Sequence, residues 1–257
     1  MKIAVHADRP AMGAAAAADA ADALRHAIAA RGQATLVVAT GTSQLEVLEA
    51  FAAAPGIAWN HVTLFHLDEY CGISADHPAS FRRYLRERFL DILPMKPAAF
   101  HWIGADGDPE AECRRLAGLV PAATFDLVLC GIGENAHLAF NDPPADFDAT
   151  DPYLVVPLDE ACRRQQVGEG WFPALSAVPT HAISMSIRRI MAATTIICSV
   201  PDARKAVAVR NAVEGPVSPT VPASILQRHA DCRLHVDRAA ASRLRAAGAP
   251  LAAPRSR

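Results

Sequence analysis

A glycine-rich turn with a histidine and a carboxylate is the part of this sequence best equipped for chemistry. The apolar run 125–129 predicts a buried parallel strand, and residues 130–143 follow it directly. The small and polar residues of this turn include Gly131, Gly133, Asn135, His137 and Asp142. Glycines let backbone N–H groups approach an anionic ligand, and an imidazole beside a carboxylate moves protons near neutral pH. We therefore interpret the turn as a catalytic loop at the carboxyl end of a strand.

Two adjacent acids close another apolar run. Residues 62–67 predict a second buried strand, and Asp68 and Glu69 follow it. Carboxylates at the end of a buried strand cost free energy unless they are solvated or paired. One of them, facing a cleft, would have the position of a general base.

A hydroxyl-rich turn before a helix is a candidate anion site. Residues 36–39 predict a strand, Gly41, Thr42 and Ser43 lie in the turn, and residues 44–53 predict a helix. The first N–H groups of a helix lack partners within it, and the helix dipole favours negative charge at that end. The segment lacks the lysine and the longer glycine spacing of a Walker A loop, so a nucleotide P-loop is excluded.

Strand-like and helix-like stretches alternate along the chain, which predicts an α/β fold. The predicted strands are residues 2–6, 36–39, 61–67, 125–131, 182–187, 194–200 and 232–236. The predicted helices are residues 13–31, 44–53, 80–90 with Ser80 as N-cap, 108–119, 159–167 and 203–213, with a short helix between the strands at 182–187 and 194–200. This order favours a single-domain, three-layer α/β/α sandwich over residues 1–238, with a mostly parallel, Rossmann-like sheet. Residues 239–257 are expected to form a C-terminal tail that is partly disordered.

Composition and charge exclude several functional classes. The 257 residues are 51% hydrophobic and carry a formal net charge of −2 without a basic block, which argues against a nucleic acid partner. We find neither a signal-peptide pattern nor an apolar stretch of the roughly 18–20 residues that span a bilayer, so we expect no membrane partner and a cytoplasmic location. The six cysteines form no Cys-x-x-Cys pair, so we expect buried free thiols, no metal and no cofactor.

These motifs together resemble the glucosamine-6-phosphate deaminase family, also called glucosamine-6-phosphate isomerases. The matching stretches are residues 40–43, 67–70, 131–143 and 204–206, in the order that the family has, and the resemblance extends over residues 37–234. The 6-phosphogluconolactonases share the family's fold but usually carry Asp-Glu-Arg where this chain has Asp-Glu-Tyr at positions 68–70.

The resemblance implies conversion of glucosamine 6-phosphate to fructose 6-phosphate and ammonia. His137 matches the histidine that opens the sugar ring, and Asp142 matches the carboxylate that orients it. Asp68 matches the base that moves the C2 proton to C1. Glu69 is grouped with the residues of the substrate site, where it is expected to be structural or a hydrogen-bond partner, and Tyr70 is expected to pack.

The resemblance also implies a binding site for the phosphate and for the sugar oxygens. The phosphate is expected over Thr42 and Ser43, with Lys205 as counter-charge, and Arg164 is the candidate for the arginine that assists in the family. Backbone N–H groups of the turn from Gly131 to Gly133 are expected to hold negative charge on O1.

Three departures from the family's pattern are visible. Asn135 stands where well-known members carry an aspartate, and Ala136 stands where glycine is usual. Residues 143–148 lack the basic pattern with which allosteric members bind a phosphorylated effector. We therefore expect no allosteric control, and a monomer or small homo-oligomer.

Other functions fit the same motifs. The chain can act on another amino sugar phosphate, such as galactosamine 6-phosphate, because the sequence does not fix the configuration at C4. It can be a 6-phosphogluconolactonase, although Tyr70 argues against this. Asn135 and Ala136 leave open a protein that binds a sugar phosphate without turning it over.

Overall fold

Seven parallel strands form the central sheet of the computed structural model, which describes residues 1–245. The strands are β1 (Lys2–His6), β2 (Ala34–Val38), β3 (Val62–His66), β4 (Asp68–Tyr70), β5 (Ala99–His101), β6 (Leu127–Cys130), β7 (Tyr153–Pro157), β8 (His181–Met185), β9 (Thr195–Val200) and β10 (Cys232–Asp237). The order in the central sheet is β1-β10-β9-β6-β2-β3-β5, and a second, antiparallel sheet has the order β4-β8-β7. The predicted α/β architecture with a mostly parallel sheet is confirmed.

The helices follow the predicted positions closely. They are α1 (Arg9–Arg31), α2 (Leu45–Ala52), α3 (Phe81–Arg88), α4 (Pro109–Ala117), α5 (Glu160–Gly168), α6 (Ile187–Met191) and α7 (Ala206–Glu214). Helix α1 begins four residues before the predicted start at residue 13, because the Asp8 side chain accepts a hydrogen bond from the Ala11 N–H at 2.9 Å and caps the helix there. Of the tail expected at 239–257, residues 240–243 form a 3₁₀ turn, and residues 246–257 lie outside the described part of the chain.

The chain changes sheets immediately after β3, which the sequence analysis missed. The N–H of Leu67 still donates to the Val38 carbonyl of the central sheet, at 3.1 Å. The Leu67 carbonyl then accepts from the Met185 N–H at 2.7 Å, and Asp68 pairs with Ser184 in the second sheet. The acidic pair predicted at the end of a strand therefore begins a new one, at the junction of the two sheets.

Three apolar clusters surround this junction. Two of them cover the two faces of the central sheet, as the near-continuous apolar strands require. The third is largely aromatic and packs beside the second sheet, with Tyr70 and Phe140 ring centroids 5.1 Å apart and Phe81 and Phe140 centroids 5.7 Å apart. Tyr70 is fully buried there, so the expectation that it packs is confirmed. None of the helices described is long and apolar enough to cross a membrane.

Candidate functional site

A pocket opens where β2, β3 and β6 end, the edge at which open α/β sheets bind ligands. Eight of the residues singled out from the sequence line it, namely Gly41, Thr42, Ser43, Asp68, Gly131, Gly133, His137 and Lys205. These residues come from four separate segments of the chain, and the parallel sheet brings them together because its strands all end at this edge.

The turn after β6 folds around His137. A Cβ at Gly133 would lie 2.3 Å from the Nε2 atom of His137, so only glycine leaves room for the imidazole ring. The Gly133 N–H donates to the His137 carbonyl at 3.0 Å. Of the N–H groups expected to hold O1 of a substrate, that of Gly133 is therefore already used within the turn. Ala136 has a φ of 69°, the left-handed conformation that costs an alanine roughly 1 kcal/mol relative to glycine.

Behind His137, Asn135 and Asp142 form a polar support outside the lining of the pocket. Nδ1 of His137 lies 3.1 Å from Oδ1 of Asp142. The Asn135 amide donates to the same Asp142 oxygen at 3.0 Å, and its Oδ1 accepts from the His137 N–H at 3.1 Å. Burial alone would raise the pKa of Asp142, but His137, Asn135 and a backbone N–H together hold it below its usual value. Asp142 is thus a carboxylate that faces the imidazole.

Asp159 is a second carboxylate at this support, and the sequence analysis missed its role. Its Oδ2 accepts from the Asn135 amide at 3.0 Å, and its N–H donates to Oδ2 of Asp142 at 3.1 Å. Its other oxygen caps helix α5 by accepting from the Cys162 N–H. An aspartate before a helix signals a cap, whereas its contact across the fold to Asn135 is not visible in the sequence.

Asp68 faces the pocket from the start of β4 and is only 7% exposed. Burial raises the pKa of its carboxyl well above the usual value, and the neighbouring Glu69 charge raises it further. A carboxyl group with a raised pKa is suited to accept and return a proton near neutral pH.

Glu69 does not line the pocket, and its contacts are those of the structural hydrogen-bond partner that the sequence also suggested. One of its oxygens accepts from the N–H groups of Tyr70 and Phe81, at 2.9 and 3.1 Å. The other accepts from the Ser80 hydroxyl at 2.7 Å and the Arg82 N–H at 3.0 Å. Ser80 occupies the N-cap position of α3 as predicted, but its hydroxyl donates to Glu69 and does not cap the helix. Glu69 instead accepts hydrogen bonds from the first N–H groups of the helix. Both oxygens of this carboxylate are therefore occupied within the protein.

Thr42 and Ser43, in a 3₁₀ turn before α2, also line the pocket, and so does Lys205. Lys205 is 5% exposed, and its burial lowers its pKa, while the carboxylates of Glu169 and Glu134 act in the opposite direction. The arrangement offers hydroxyl groups and one ammonium group to an anion.

Arg164 lies outside the lining of the pocket, so its position gives no support to the predicted phosphate contact. Its side chain is 67% exposed and pairs with Glu160 one helical turn away, at 2.8 Å from Nε. The face of α5 that meets the pocket carries Gln165, Gln166 and, at the end of the helix, Glu169. These three residues were not predicted to line the pocket, because the rotation of α5 depends on packing.

One group of potential metal ligands is found among the described residues. The side chains of His137, Asp142 and Cys162 each offer a ligand atom, and these atoms lie within 4.8 Å of one another. No metal site was expected from the sequence, which has no Cys-x-x-Cys pair, and these three residues are separated along the chain.

Comparisons with known proteins agree with this geometry. The model of the family described as glucosamine-6-phosphate isomerases/6-phosphogluconolactonase matches residues 7–235. A glucosamine-6-phosphate deaminase of Exiguobacterium sibiricum is 41% identical over 210 residues, which are 82% of this chain and 81% of the relative. The solved structure of a monomeric glucosamine-6-phosphate deaminase superposes with a TM-score of 0.87 at 32% identity, covering 95% of this chain and all of the other. A putative 6-phosphogluconolactonase from Neisseria gonorrhoeae, at 18% identity and a TM-score of 0.75 over 92% of this chain and 99% of its own, shares the fold.

Proposed function

The chain belongs to the family of glucosamine-6-phosphate isomerases and 6-phosphogluconolactonases, and we propose that it converts glucosamine 6-phosphate to fructose 6-phosphate and ammonia. The observation that carries this proposal is the presence of Asp68, His137 and Lys205 in the lining of one pocket. Proton transfer at two carbons and binding of a phosphate need these groups together. The relatives named as deaminases support the same activity.

His137 serves ring opening. Its imidazole takes the proton of the anomeric hydroxyl, the bond from C1 to the ring oxygen breaks, and the ring oxygen gains a proton. The Asp142 carboxylate, 3.1 Å from Nδ1, stabilises the imidazolium form during this transfer. Asn135 holds the Asp142 carboxylate in place and links it to Asp159.

Asp68 serves the proton transfer between carbons. In the open-chain sugar its carboxylate removes the proton from C2, and the same carboxyl returns a proton to C1. In the same step the carbonyl oxygen O1 gains a proton and the amino nitrogen loses one, so that C1 becomes a hydroxymethyl group and C2 becomes an imine. Addition of water to the imine then releases ammonia and leaves the ketone of fructose 6-phosphate. The raised pKa of Asp68 brings its basicity closer to the working pH than that of an exposed aspartate.

The phosphate is bound by Gly41, Thr42 and Ser43 at the helix start, with Lys205 as the counter-charge. Glu169 also lines the pocket, and its charge acts on Lys205, so the phosphate site is less positive than Lys205 alone would make it.

The other functions weighed from the sequence have less support. Tyr70, which stands where the lactonases usually carry arginine, donates its hydroxyl to Gln166 at 2.6 Å inside the aromatic cluster, so the position cannot supply a cation to the pocket. Another amino sugar phosphate, such as galactosamine 6-phosphate, would react by the same steps, so only an assay distinguishes it from glucosamine 6-phosphate as the substrate. We further propose that residues 1–238 form the catalytic unit, that the protein is a monomer like its solved relative, and that it is cytoplasmic.

One panel assay tests the proposed function. Purified protein is given glucosamine 6-phosphate, galactosamine 6-phosphate and 6-phosphogluconolactone, and both ammonia and acid release are recorded. Ammonia from glucosamine 6-phosphate at a higher kcat/KM than from its epimer supports the proposal. Acid release from the lactone without ammonia from either amino sugar, or binding of the sugar phosphates without any product, refutes it.

A further inference from the structure

Cys162 is a buried thiol beside the proposed proton shuttle, and the proposed reaction does not use it. It lies in the first turn of α5 and is 1% exposed. Its Sγ, a nitrogen of His137 and a carboxylate oxygen of Asp142 lie within 4.8 Å of one another. A neutral thiol, an imidazole and a carboxylate thus share one small space behind the pocket.

An independent observation concerns Nδ1 of His137. This atom is buried and has no aligned hydrogen-bond partner among the described residues, although Oδ1 of Asp142 lies 3.1 Å away. His137 as a whole is only 9% exposed. A buried polar atom without a well-formed hydrogen bond costs free energy and marks a position that a ligand can satisfy.

We propose that His137, Asp142 and Cys162 form a binding site for a soft divalent cation, with Zn²⁺ as the preferred ion. Imidazole nitrogen, carboxylate oxygen and thiolate sulfur are the three ligand types that proteins offer to zinc. Zinc bonds of about 2.0–2.3 Å in tetrahedral geometry place ligand atoms roughly 3.3–3.6 Å apart, so the cluster closes on the ion by side-chain movements of about 1 Å. The thiol proton is released to solvent as the sulfur–metal bond forms, and a water molecule completes the coordination.

The groups around the cluster already orient its carboxylate as outer ligands do in metal sites. The Asp159 N–H donates to Oδ2 of Asp142, and the Asn135 amide donates to Oδ1. Such partners typically change metal affinity 10–100-fold when they are removed. The ion therefore meets a carboxylate that is held in place on two sides.

Metal binding would inhibit the reaction, a consequence that rests on the proposed function. An ion on Nδ1 fixes the imidazole ring and takes Asp142 away from it, so His137 can no longer carry the proton that opens the sugar ring. The inhibition is reversible, because a chelator removes the ion and the thiol regains its proton.

Metal binding is tested without turnover of a substrate, so its result does not depend on whether the proposed function is correct. Co²⁺ is titrated into EDTA-treated protein, and absorption from thiolate-to-cobalt charge transfer is recorded, with Zn²⁺ added afterwards as competitor. Wild type and Cys71→Ser, the matched control at the half-buried Cys71, should show this absorption at one equivalent. Cys162→Ser and Cys162→Ala should lack it, and folding of each variant is checked by thermal denaturation.

Inhibition is measured in parallel on ammonia release. Zn²⁺ should inhibit wild type and Cys71→Ser alike, EDTA should restore both, and Cys162→Ser should need at least about tenfold more Zn²⁺. No charge-transfer absorption in wild type, or equal zinc sensitivity of wild type and a folded Cys162 variant, would overturn the site. Absorption in a protein that releases no ammonia would support the site while refuting the proposed function.

Discussion

The raised pKa that suits Asp68 to the proposed chemistry also means that ionisation of Asp68 lowers the stability of the fold. Its carboxyl is buried, and burial together with the Glu69 charge raises its pKa in the folded protein above the value of about 3.9 in an unfolded chain. An acid whose pKa is raised by folding contributes its stability below the unfolded pKa, and this contribution is lost as the pH rises through the folded pKa. Ionisation of Asp68 therefore destabilises the fold.

Asp68→Asn should accordingly be more stable than wild type at high pH. The difference in melting temperature should grow from about pH 4 upward, because asparagine has no charge to bury. Asp151→Asn, at an exposed position, is the matched control and should show no such trend. A difference that does not change with pH would mean that burial does not disfavour the charged form of Asp68.

The phosphate end of the pocket depends on the balance between Lys205 and Glu169. Lys205→Ala should raise KM for the phosphorylated sugar at least about tenfold, because an ammonium–phosphate contact in a buried site is lost. Glu169→Gln should lower KM, because it removes the carboxylate that opposes the phosphate. Steady-state kinetics check both, with unphosphorylated glucosamine as the control substrate. An equal effect of Lys205→Ala on both substrates would mean that the lysine supports the fold and does not bind the phosphate.

For individual residues, the sequence predicted which side chains line the pocket better than it predicted their hydrogen bonds. Asp68, His137 and Lys205 line the pocket as expected, because motifs at the ends of parallel strands converge. Glu69 and Arg164 do not, since adjacency to a motif does not say which way a side chain faces. Asp159 was missed because its contacts connect distant parts of the chain, and Glu169 was missed because the rotation of α5 depends on packing.

Among the secondary structure elements, the junction of β4 and α3 is the one that fixes Asp68. The Glu69 carboxylate accepts the first N–H groups of α3 and the Ser80 hydroxyl, and Arg82 adds an ion pair. It thus ties the strand that presents the proposed base to the helix that follows. An amide at this position would keep only one acceptor oxygen.

Glu69→Gln should therefore lower the free energy of unfolding by about 3–5 kcal/mol, as expected when one partner of a buried charged network is removed. Ser80→Ala, the matched control, removes a single donor and should cost only about 1–3 kcal/mol. Chemical denaturation measures both. A cost for Glu69→Gln no larger than that for Ser80→Ala would mean that the carboxylate does not organise this junction.

The elements of the central sheet were easier to predict than those of the second sheet. Buried parallel strands such as β6 and β9 are continuous apolar runs, which single sequences reveal well. In the central sheet, β5 was not predicted because it has only three residues; in the second sheet, β4 was not predicted because it directly continues an apolar run and has no pattern of its own. The strand order also depends on crossovers that local sequence does not encode.

For the whole molecule, the family resemblance and the missing basic residues predict an enzyme without allosteric control. The segment after Asp142 carries acids, and Asp146 accepts from the N–H groups of Asp148 and Ala149, so it presents carboxylate groups where a phosphorylated effector would need cations. The rate should depend hyperbolically on substrate, and N-acetylglucosamine 6-phosphate should not activate. A sigmoidal curve that this compound makes hyperbolic would contradict the prediction.

The most direct measurement of the central claim compares wild type with Asp68→Asn on glucosamine 6-phosphate. Ammonia and fructose 6-phosphate are quantified together, and binding of the sugar phosphate is measured by calorimetry. Wild type should release both products in equal amounts. Asp68→Asn should bind the sugar with nearly unchanged affinity and turn it over about 10²–10⁴-fold more slowly, the usual contribution of a positioned base. Absence of ammonia with the wild type, or more than about a tenth of its rate in Asp68→Asn, would contradict the account.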